Sequence, residues 1–150
     1  MTFRHSVSTS LWTRCVCEYT ITTMKVLIIE DDKFMAGLLA KKFEENSFTI
    51  GHLGSGEKAV AETVAQKPDV VILDILLPDR NGFEVLKELK EKEATKNIPV
   101  IIVSNLGSKD DFEKGSRLGA CGFMVKATIT PEDVVAKAKQ VIAGVITESQ

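Results

Sequence analysis

The segment VVILDILLPDRNG, residues 70–82, decides how the rest of the chain is interpreted. Its first four residues are all apolar, which is typical of a parallel strand that is buried on both faces of a sheet. Asp74 follows directly, and a proline and a glycine then mark a loop before the next apolar pattern. The segment therefore predicts a central strand that ends in a carboxylate, followed by a loop and a helix.

Similar apolar runs occur on both sides of this segment. The strands that they predict are Val26–Ile29, Thr49–Leu53, Val70–Leu73, Val100–Val103 and Gly122–Val125. The helical patterns lie near residues 32–46, 56–66, 82–93, 109–118 and 131–144. Strands that alternate with helices of this length indicate an α/β fold, a doubly wound parallel sheet with helices on both faces.

Capping residues support the predicted helix boundaries. Ser108 followed by Asp111 is a variant of the capping box, with Asp in place of Glu. Thr130 and Pro131 place a capping hydroxyl just before a proline at the first helical position. Residues 51–58 lack the Gly-Lys-Ser/Thr run of a phosphate-binding loop, so we interpret them as a strand-to-helix turn with Ser55 as the cap.

The composition is that of one globular domain. The chain has 150 residues, of which 44% are hydrophobic and 27% are charged. Its net charge of -2 argues against a nucleic-acid partner, and no apolar run is long enough to span a bilayer. Three cysteines (Cys15, Cys17 and Cys121) cannot all pair within the chain, and no second ligand pair suggests zinc. We therefore expect free thiols and a cytoplasmic protein without a membrane partner.

Residues 1–23 differ from the rest of the chain. They are rich in Ser and Thr, show no sustained period and lack the apolar middle of a signal peptide. We predict an N-terminal extension that is disordered or reflects a mis-assigned start, and a folded domain at residues 24–150. A short interaction arm is the alternative for residues 1–23. No output domain is expected after the last helix.

Polar residues follow the predicted strands at their carboxyl ends. They are Glu30, Asp31 and Asp32 after the first strand, Asp74 after the third, Ser104 after the fourth and Lys126 after the fifth. Ligands of open parallel sheets bind at this edge. Clustered carboxylates repel one another unless a cation intervenes, and Mg²⁺ prefers such oxygen ligands. The sequence therefore predicts a magnesium site where a carboxylate can accept a phosphoryl group, with Lys126 and Ser104 stabilising its charge.

Each of these residues also has a purely structural interpretation. Asp31 or Asp32 could cap the following helix, Asp74 could open a turn, and Lys126 could be a solvated surface lysine. All four residues follow predicted strands, in an order that fits one site, so we favour the functional interpretation over the structural one.

In these same residues the chain resembles the receiver domain of two-component response regulators, in a single-domain form like the chemotaxis regulators. The resemblance rests on VLIIEDD at 26–32, VVILDILLPDRNG at 70–82, IIVSN at 101–105 and GACGFMVK at 119–126. It covers Met24 to about Val145. It implies a flavodoxin-like, five-stranded sheet of order 2-1-3-4-5.

The resemblance also implies a metal site and a phosphoacceptor. Glu30 and Asp31 correspond to the acidic pocket of the family, with Asp31 as the more direct Mg²⁺ ligand. Asp74 corresponds to the residue that accepts the phosphoryl group. The backbone carbonyl of Leu76 would complete the metal shell.

The remaining implied roles concern signalling. Ser104 occupies the family's hydroxyl position, Lys126 its phosphate-pairing lysine and Phe123 its aromatic switch. The implied partners are a sensor histidine kinase or phosphotransfer protein and a downstream target, which is reached by protein contact. A protein of this kind is a signalling switch and not an enzyme.

Two departures from the family pattern stand out. The family lysine is usually followed by a proline with a cis peptide bond, but Ala127 follows here, so both cis and trans remain open. Leu76 and Leu106 lie where polar side chains often position the attacking water, and we hypothesise that they slow self-dephosphorylation. Two alternatives stay open at this point: a pseudo-receiver that only binds proteins, and a flavodoxin-like FMN protein.

Overall fold

The computed structural model describes residues 23–144, which contain five strands and five α-helices. The strands are β1 (Lys25–Ile29), β2 (Thr49–Leu53), β3 (Val70–Leu73), β4 (Val100–Ser104) and β5 (Gly122–Val125). The helices are α1 (Lys33–Glu45), α2 (Ala59–Gln66), α3 (Gly82–Glu91), α4 (Lys109–Arg117) and α5 (Pro131–Ile142). A short 3₁₀ turn, Lys126–Thr128, follows β5. The predicted alternation of strands and helices is confirmed.

The five strands form one parallel sheet in the order β2-β1-β3-β4-β5, as predicted. Ile29 at the end of β1 pairs with both Leu53 of β2 and Leu73 of β3. The carboxyl ends of these three strands are therefore level. Residues that follow them are brought to one edge of the sheet.

Both faces of the sheet are buried, which explains the uninterrupted apolar runs. Val26 and Ile28 belong to a core that includes side chains of α1 and α5. Leu27 and Ile29 alternate with them and belong to a second core under α2 and α3, on the opposite face. All four side chains are fully buried. The helices thus cover the sheet on both sides and leave its carboxyl edge open to carry a site.

Two of the three predicted caps are present. The Ser108 hydroxyl accepts a hydrogen bond from the Asp111 amide, and the Asp111 carboxylate accepts one from the Ser108 amide. Thr130 and Asp133 form the same reciprocal pair around Pro131. These boxes satisfy amide groups that a helix leaves unpaired at its start.

The prediction of Ser55 as a helix cap is wrong. α2 begins at Ala59, and its N-cap residue, Lys58, makes no side-chain capping bond. The amides of Gly56 and Glu57 donate to the carboxylate of Asp79, in a different loop, and the Glu57 amide also donates to the Ser55 hydroxyl at 3.2 Å without starting the helix there. Because a tertiary partner takes up these donors, the chain remains a loop for three residues longer than the local pattern indicates.

Several predictions fall on the margins of the structure. Those for Cys15, Cys17 and nearly all of residues 1–23 lie outside the described residues, as does the end of the chain after residue 144. Cys121 is a free thiol. No helix within residues 23–144 has the length and apolar character required to cross a membrane.

The peptide bond between Lys126 and Ala127 is trans, which resolves the question that was left open by the missing proline.

Candidate functional site

The three consecutive acids after β1 face different environments. Glu30 is buried, and its amide donates a hydrogen bond to the Leu53 carbonyl. Asp31 is exposed at the edge of the sheet. Asp32 is the N-cap of α1, because its carboxylate accepts hydrogen bonds from the amides of Phe34 and Met35. The capping alternative therefore holds for Asp32, whereas Glu30 and Asp31 remain available for a site.

Asp74 is held by the backbone around it. Its side chain is buried, and its amide donates to the Ile29 carbonyl of β1 at 3.0 Å. One carboxylate oxygen accepts a hydrogen bond from the Leu76 amide at 3.3 Å. Gly82 at the start of α3 packs directly on this loop, and a Cβ atom there would overlap the Asp74 carbonyl oxygen. The position of the carboxylate is thus fixed by β1, by its own loop and by the start of α3.

Lys126 links the two buried acids. Its ammonium nitrogen lies 2.6 Å from Glu30 Oε1 and 3.1 Å from Asp74 Oδ2. The lysine side chain is only 10% exposed, so the solvated-lysine alternative does not hold. Three strand ends that are distant in sequence therefore meet at one point.

This burial changes the acid–base properties of the pocket. Desolvation raises the pKa of Glu30 well above its usual value, and the nearby Asp74 charge adds to this, although the hydrogen bond from Lys126 opposes it. Burial by itself lowers the pKa of Lys126, but the bonds to Glu30 and Asp74 outweigh it and the net shift is upward. The lysine is therefore held as a cation between two carboxyl groups.

Ser104 and Phe123 lie on the neighbouring strands of the same edge. Ser104 is the last residue of β4 and is fully buried; its hydroxyl accepts a hydrogen bond from the Leu106 amide at 3.3 Å. The Phe123 ring of β5 makes an edge-to-face contact with the ring of Phe112 of α4, with centroids 4.7 Å apart. Phe123 lies in the predicted fifth strand, whereas Ser104, predicted to follow the fourth strand, is its last residue; the roles of both remain predictions.

The acids are suited to a hard cation. Glu30, Asp31 and Asp74 each offer a carboxylate oxygen, and these three atoms lie within 4.8 Å of one another. An all-oxygen set is the one that Mg²⁺ prefers, and the exposed position of Asp31 leaves one side open for the water ligands that this ion retains. The residues present therefore fit Mg²⁺. Leu76 belongs to the same loop as Asp74, where its carbonyl was predicted to join the shell.

Two features of this edge were missed by the analysis of the sequence. Asp79 accepts three hydrogen bonds from the loop after β2, and no local pattern indicates so distant a partner. Asn81 is the N-cap of α3, where its side chain accepts a hydrogen bond from the Phe83 amide at 2.8 Å. The Asn-Gly pair before an apolar helical pattern was the available signal for this second feature.

Comparison with known proteins gives a consistent assignment. A family model described as the response regulator receiver domain matches residues 26–139. The chain is 33% identical over 130 residues to the transcriptional regulatory protein CusR from Escherichia coli strain K12, which covers 85% of this chain and 56% of CusR. It is 28% identical over 118 residues to the alkaline phosphatase synthesis transcriptional regulatory protein PhoP from Bacillus subtilis, over 79% of this chain and 48% of PhoP. The chain thus spans about half the length of these relatives.

Solved structures show the same fold. The signal receiver domain of a signal transduction histidine kinase from Syntrophus aciditrophicus aligns with a TM-score of 0.74 at 29% identity, over 85% of this chain and 97% of that domain. The chemotaxis protein CheY4 from Vibrio cholerae aligns with a TM-score of 0.74 over 80% of this chain and 99% of CheY4. Its identity of 23% supports the fold alone.

Proposed function

The chain belongs to the response regulator receiver domain family of two-component signalling, and we propose that Asp74 is the residue that accepts the phosphoryl group. The observation that carries this proposal is the meeting of Glu30, Asp74 and Lys126 at the carboxyl edge of the sheet. Membership also makes the FMN alternative untenable. The complete set of acids, hydroxyl and lysine argues against the pseudo-receiver alternative.

The proposed reaction is a phosphoryl transfer to a carboxylate. An Asp74 oxygen attacks the phosphorus of a phosphohistidine on the donor protein; a new O–P bond forms as the P–N bond breaks. The electron pair of that bond returns to the imidazole nitrogen, which then takes up a proton. The product on Asp74 is an acyl phosphate.

The surrounding residues would stabilise charge during this transfer. Lys126 already lies within hydrogen-bonding distance of Asp74 and would pair with a phosphoryl oxygen. The Ser104 hydroxyl would donate to another phosphoryl oxygen. Glu30, Asp31, Asp74 and the Leu76 carbonyl would hold Mg²⁺, which when bound supplies positive charge to the phosphoryl oxygens.

We propose that phosphorylation is passed on by a change in the Ser104–Phe123 region. If Ser104 turned toward the phosphoryl group, the Phe123 ring could move inward beside α4. Gly115 of α4 has no side chain at this point, and a Cβ atom there would lie 3.1 Å from the Phe123 ring. This is a shift between two populated states, biased by contacts to the phosphoryl group.

The partners follow from the family. Receiver domains interact with histidine kinases or phosphotransfer proteins, and we propose that this chain does so through the Asp74 site. The downstream target, action without an attached DNA-binding domain and a location in the cytoplasm stay predictions. CusR and PhoP are transcriptional regulatory proteins, and both are longer than this chain.

Intact-mass measurement tests the phosphoacceptor directly. The protein is incubated with Mg²⁺ and acetyl phosphate, and we expect one added phosphoryl group that is lost on mild base treatment, as an acyl phosphate is. Asp74→Asn should remain unmodified. Asp69→Asn is the matched control, because Asp69 lies at the opposite end of the sheet and accepts the Lys25 amide there. Equal labelling of Asp74→Asn and wild type would contradict the proposal.

A further inference from the structure

We propose that Asp79 is a positioning residue for the magnesium site, because it ties the loop that carries Asp74 to the β2 end that contacts the acids after β1, in addition to the direct pairing of β1 and β3. The inference rests on the proposed function and extends it to a residue outside the predicted ligands. The acids come from separate segments: Glu30 and Asp31 lie after β1, and Asp74 lies after β3. Their separation therefore depends on what holds these loops together.

The Asp79 carboxylate joins the loop after β3 to the loop after β2. Its Oδ2 atom accepts hydrogen bonds from the Ser55 hydroxyl at 2.6 Å and the Glu57 amide at 2.8 Å. Its Oδ1 atom accepts one from the Gly56 amide at 2.9 Å. We call Asp79 with these three donors the Asp79 clamp. Hydrogen bonds to an ionised carboxylate are the stronger kind, and three of them fix both oxygens of this one.

Close packing of Gly56 also joins the two loops beneath the Asp79 clamp. Gly56 is buried against the segment that leads from Asp74 into α3. A Cβ atom at Gly56 would lie 3.0 Å from Leu77 and 3.1 Å from the Cβ atom of Arg80. The loop after β2 therefore rests directly on the loop that carries Asp74, and a side chain at Gly56 would force these neighbours to shift by a few tenths of an ångström.

The end of β2, which leads into this loop, is hydrogen-bonded to the segment that carries the acids after β1. The Glu30 amide donates to the Leu53 carbonyl at 2.9 Å. The Glu30 carbonyl lies 2.8 Å from Nε2 of His52, a distance at which the ring N–H donates to it. The end of β2 and the loop after it thus connect the acids after β1 to Asp79, and through Asp79 to the segment that carries Asp74.

This arrangement explains why a residue that is not a ligand should affect the metal. Mg²⁺ demands a narrow octahedral geometry at short distances, so a small change in the spacing of the two loops lowers its affinity. Residues that orient metal ligands from outside typically contribute 10- to 100-fold in affinity when they are removed. We expect Asp79→Ala to bind Mg²⁺ about ten-fold more weakly than wild type, at the low end of this range because the clamp is exposed.

The test compares metal affinity with stability in the full chain. Mg²⁺ is titrated by calorimetry into wild type, Asp79→Ala, Asp79→Asn and Asp69→Ala, and each protein's unfolding is followed in parallel. Asp69 is an aspartate that also accepts a backbone amide, from Lys25 at 2.8 Å, but at the far end of the sheet. Its removal should lower stability and leave Mg²⁺ affinity unchanged. Asp79→Asn keeps one carbonyl acceptor and should lie between wild type and Asp79→Ala.

The possible results separate the two proposals. If wild type binds Mg²⁺ and both Asp79 variants bind it equally well, the positioning role is overturned while the proposed function stands. If wild type fails to bind Mg²⁺, the metal site itself is contradicted, and the positioning role falls with it. Amide hydrogen exchange at Gly56 and Glu57 gives a check that needs no metal, since both amides should exchange faster in Asp79→Ala. Unchanged exchange in a folded Asp79→Ala would also contradict the clamp.

Discussion

The ammonium nitrogen of Lys126 lies 3.1 Å from the carboxylate of Asp74, a residue 52 positions earlier in the chain. The same nitrogen contacts Glu30, so one cation compensates two buried acids. Without a metal ion, this lysine limits the repulsion between the two carboxyl groups. The pocket is thus held together by the residue that is also proposed to pair with the phosphoryl group.

The first prediction concerns the loss of this cation. Lys126→Met should lower the free energy of unfolding by about 3 kcal/mol, the low end of the cost of breaking a buried ion pair, because Glu30 can take up a proton. Urea unfolding in the absence of Mg²⁺ measures the change. Mg²⁺ should restore more stability to Lys126→Met than to wild type. Lys87→Met, at an exposed position of α3, is the control, and equal stability of the two variants would contradict the prediction.

The second prediction concerns the glycine beneath the phosphoacceptor. Gly82→Ala should destabilise the protein by about 1–3 kcal/mol, the usual cost of overpacking, and should slow phosphorylation, because the new Cβ atom displaces the Asp74 carbonyl. Thermal unfolding and acetyl phosphate labelling measure these effects.

Gly37→Ala is a matched control of opposite sign. Gly37 lies inside α1, and an added Cβ would meet no atom within 4 Å beyond its chain neighbours and the adjacent helix backbone, so alanine there should stabilise the helix by about 1 kcal/mol. If both alanine variants behaved alike, the close approach at Gly82 would not be responsible for the effect.

The third prediction tests the apolar cover of the site. Leu76 is 53% exposed beside Asp74, and the amide of Leu106 donates to the Ser104 hydroxyl. A carboxylate at position 106 could orient the attacking water, so Leu106→Glu should shorten the half-life of the acyl phosphate. Leu106→Met keeps an apolar side chain and should retain the wild-type half-life. The hypothesis ends if the glutamate and methionine variants lose their phosphoryl groups at the same rate.

The fourth prediction is a pH dependence from the Asp79 clamp. The Ser55 hydroxyl, followed by the Gly56 amide, lowers the pKa of Asp79 to about 2 from an ordinary value near 3.8. Because the folded state binds this proton less tightly than the unfolded chain does, the clamp stabilises the fold above pH 3.8. That contribution is lost as the pH falls toward 2.

Acid unfolding of Asp79→Asn checks this sign. The variant lacks the titrating carboxylate, so its stability should fall less steeply than that of wild type between pH 3.8 and 2. Urea unfolding at several pH values measures the slopes. Parallel slopes would mean that the carboxylate does not titrate with a lowered pKa in the fold.

The sequence predicted those structural features that depend on residues close together in the chain. The apolar runs of β1, β3 and β4 predict strands because a strand buried on both faces needs apolar side chains at every position. The capping boxes at Ser108 and Thr130 were readable because their partners lie three residues away. The order of acids, hydroxyl and lysine at strand ends also identified the edge that carries the site, since parallel strands all end on the same side.

The sequence alone determined the fold class through its repeated pattern of strands and helices, and its strand-end residues and family motifs indicated the candidate site residues. Only the tertiary structure decided which acids meet in the pocket, and that Asp79 takes up the donors expected to open a helix at Ser55. These outcomes depend on contacts between segments that lie 20 or more residues apart, such as the 22 positions between Glu57 and Asp79. A hydrogen bond or ion pair between residues this far apart produces no periodic or local pattern in the sequence. The two partners can therefore be identified only once the strands are placed side by side.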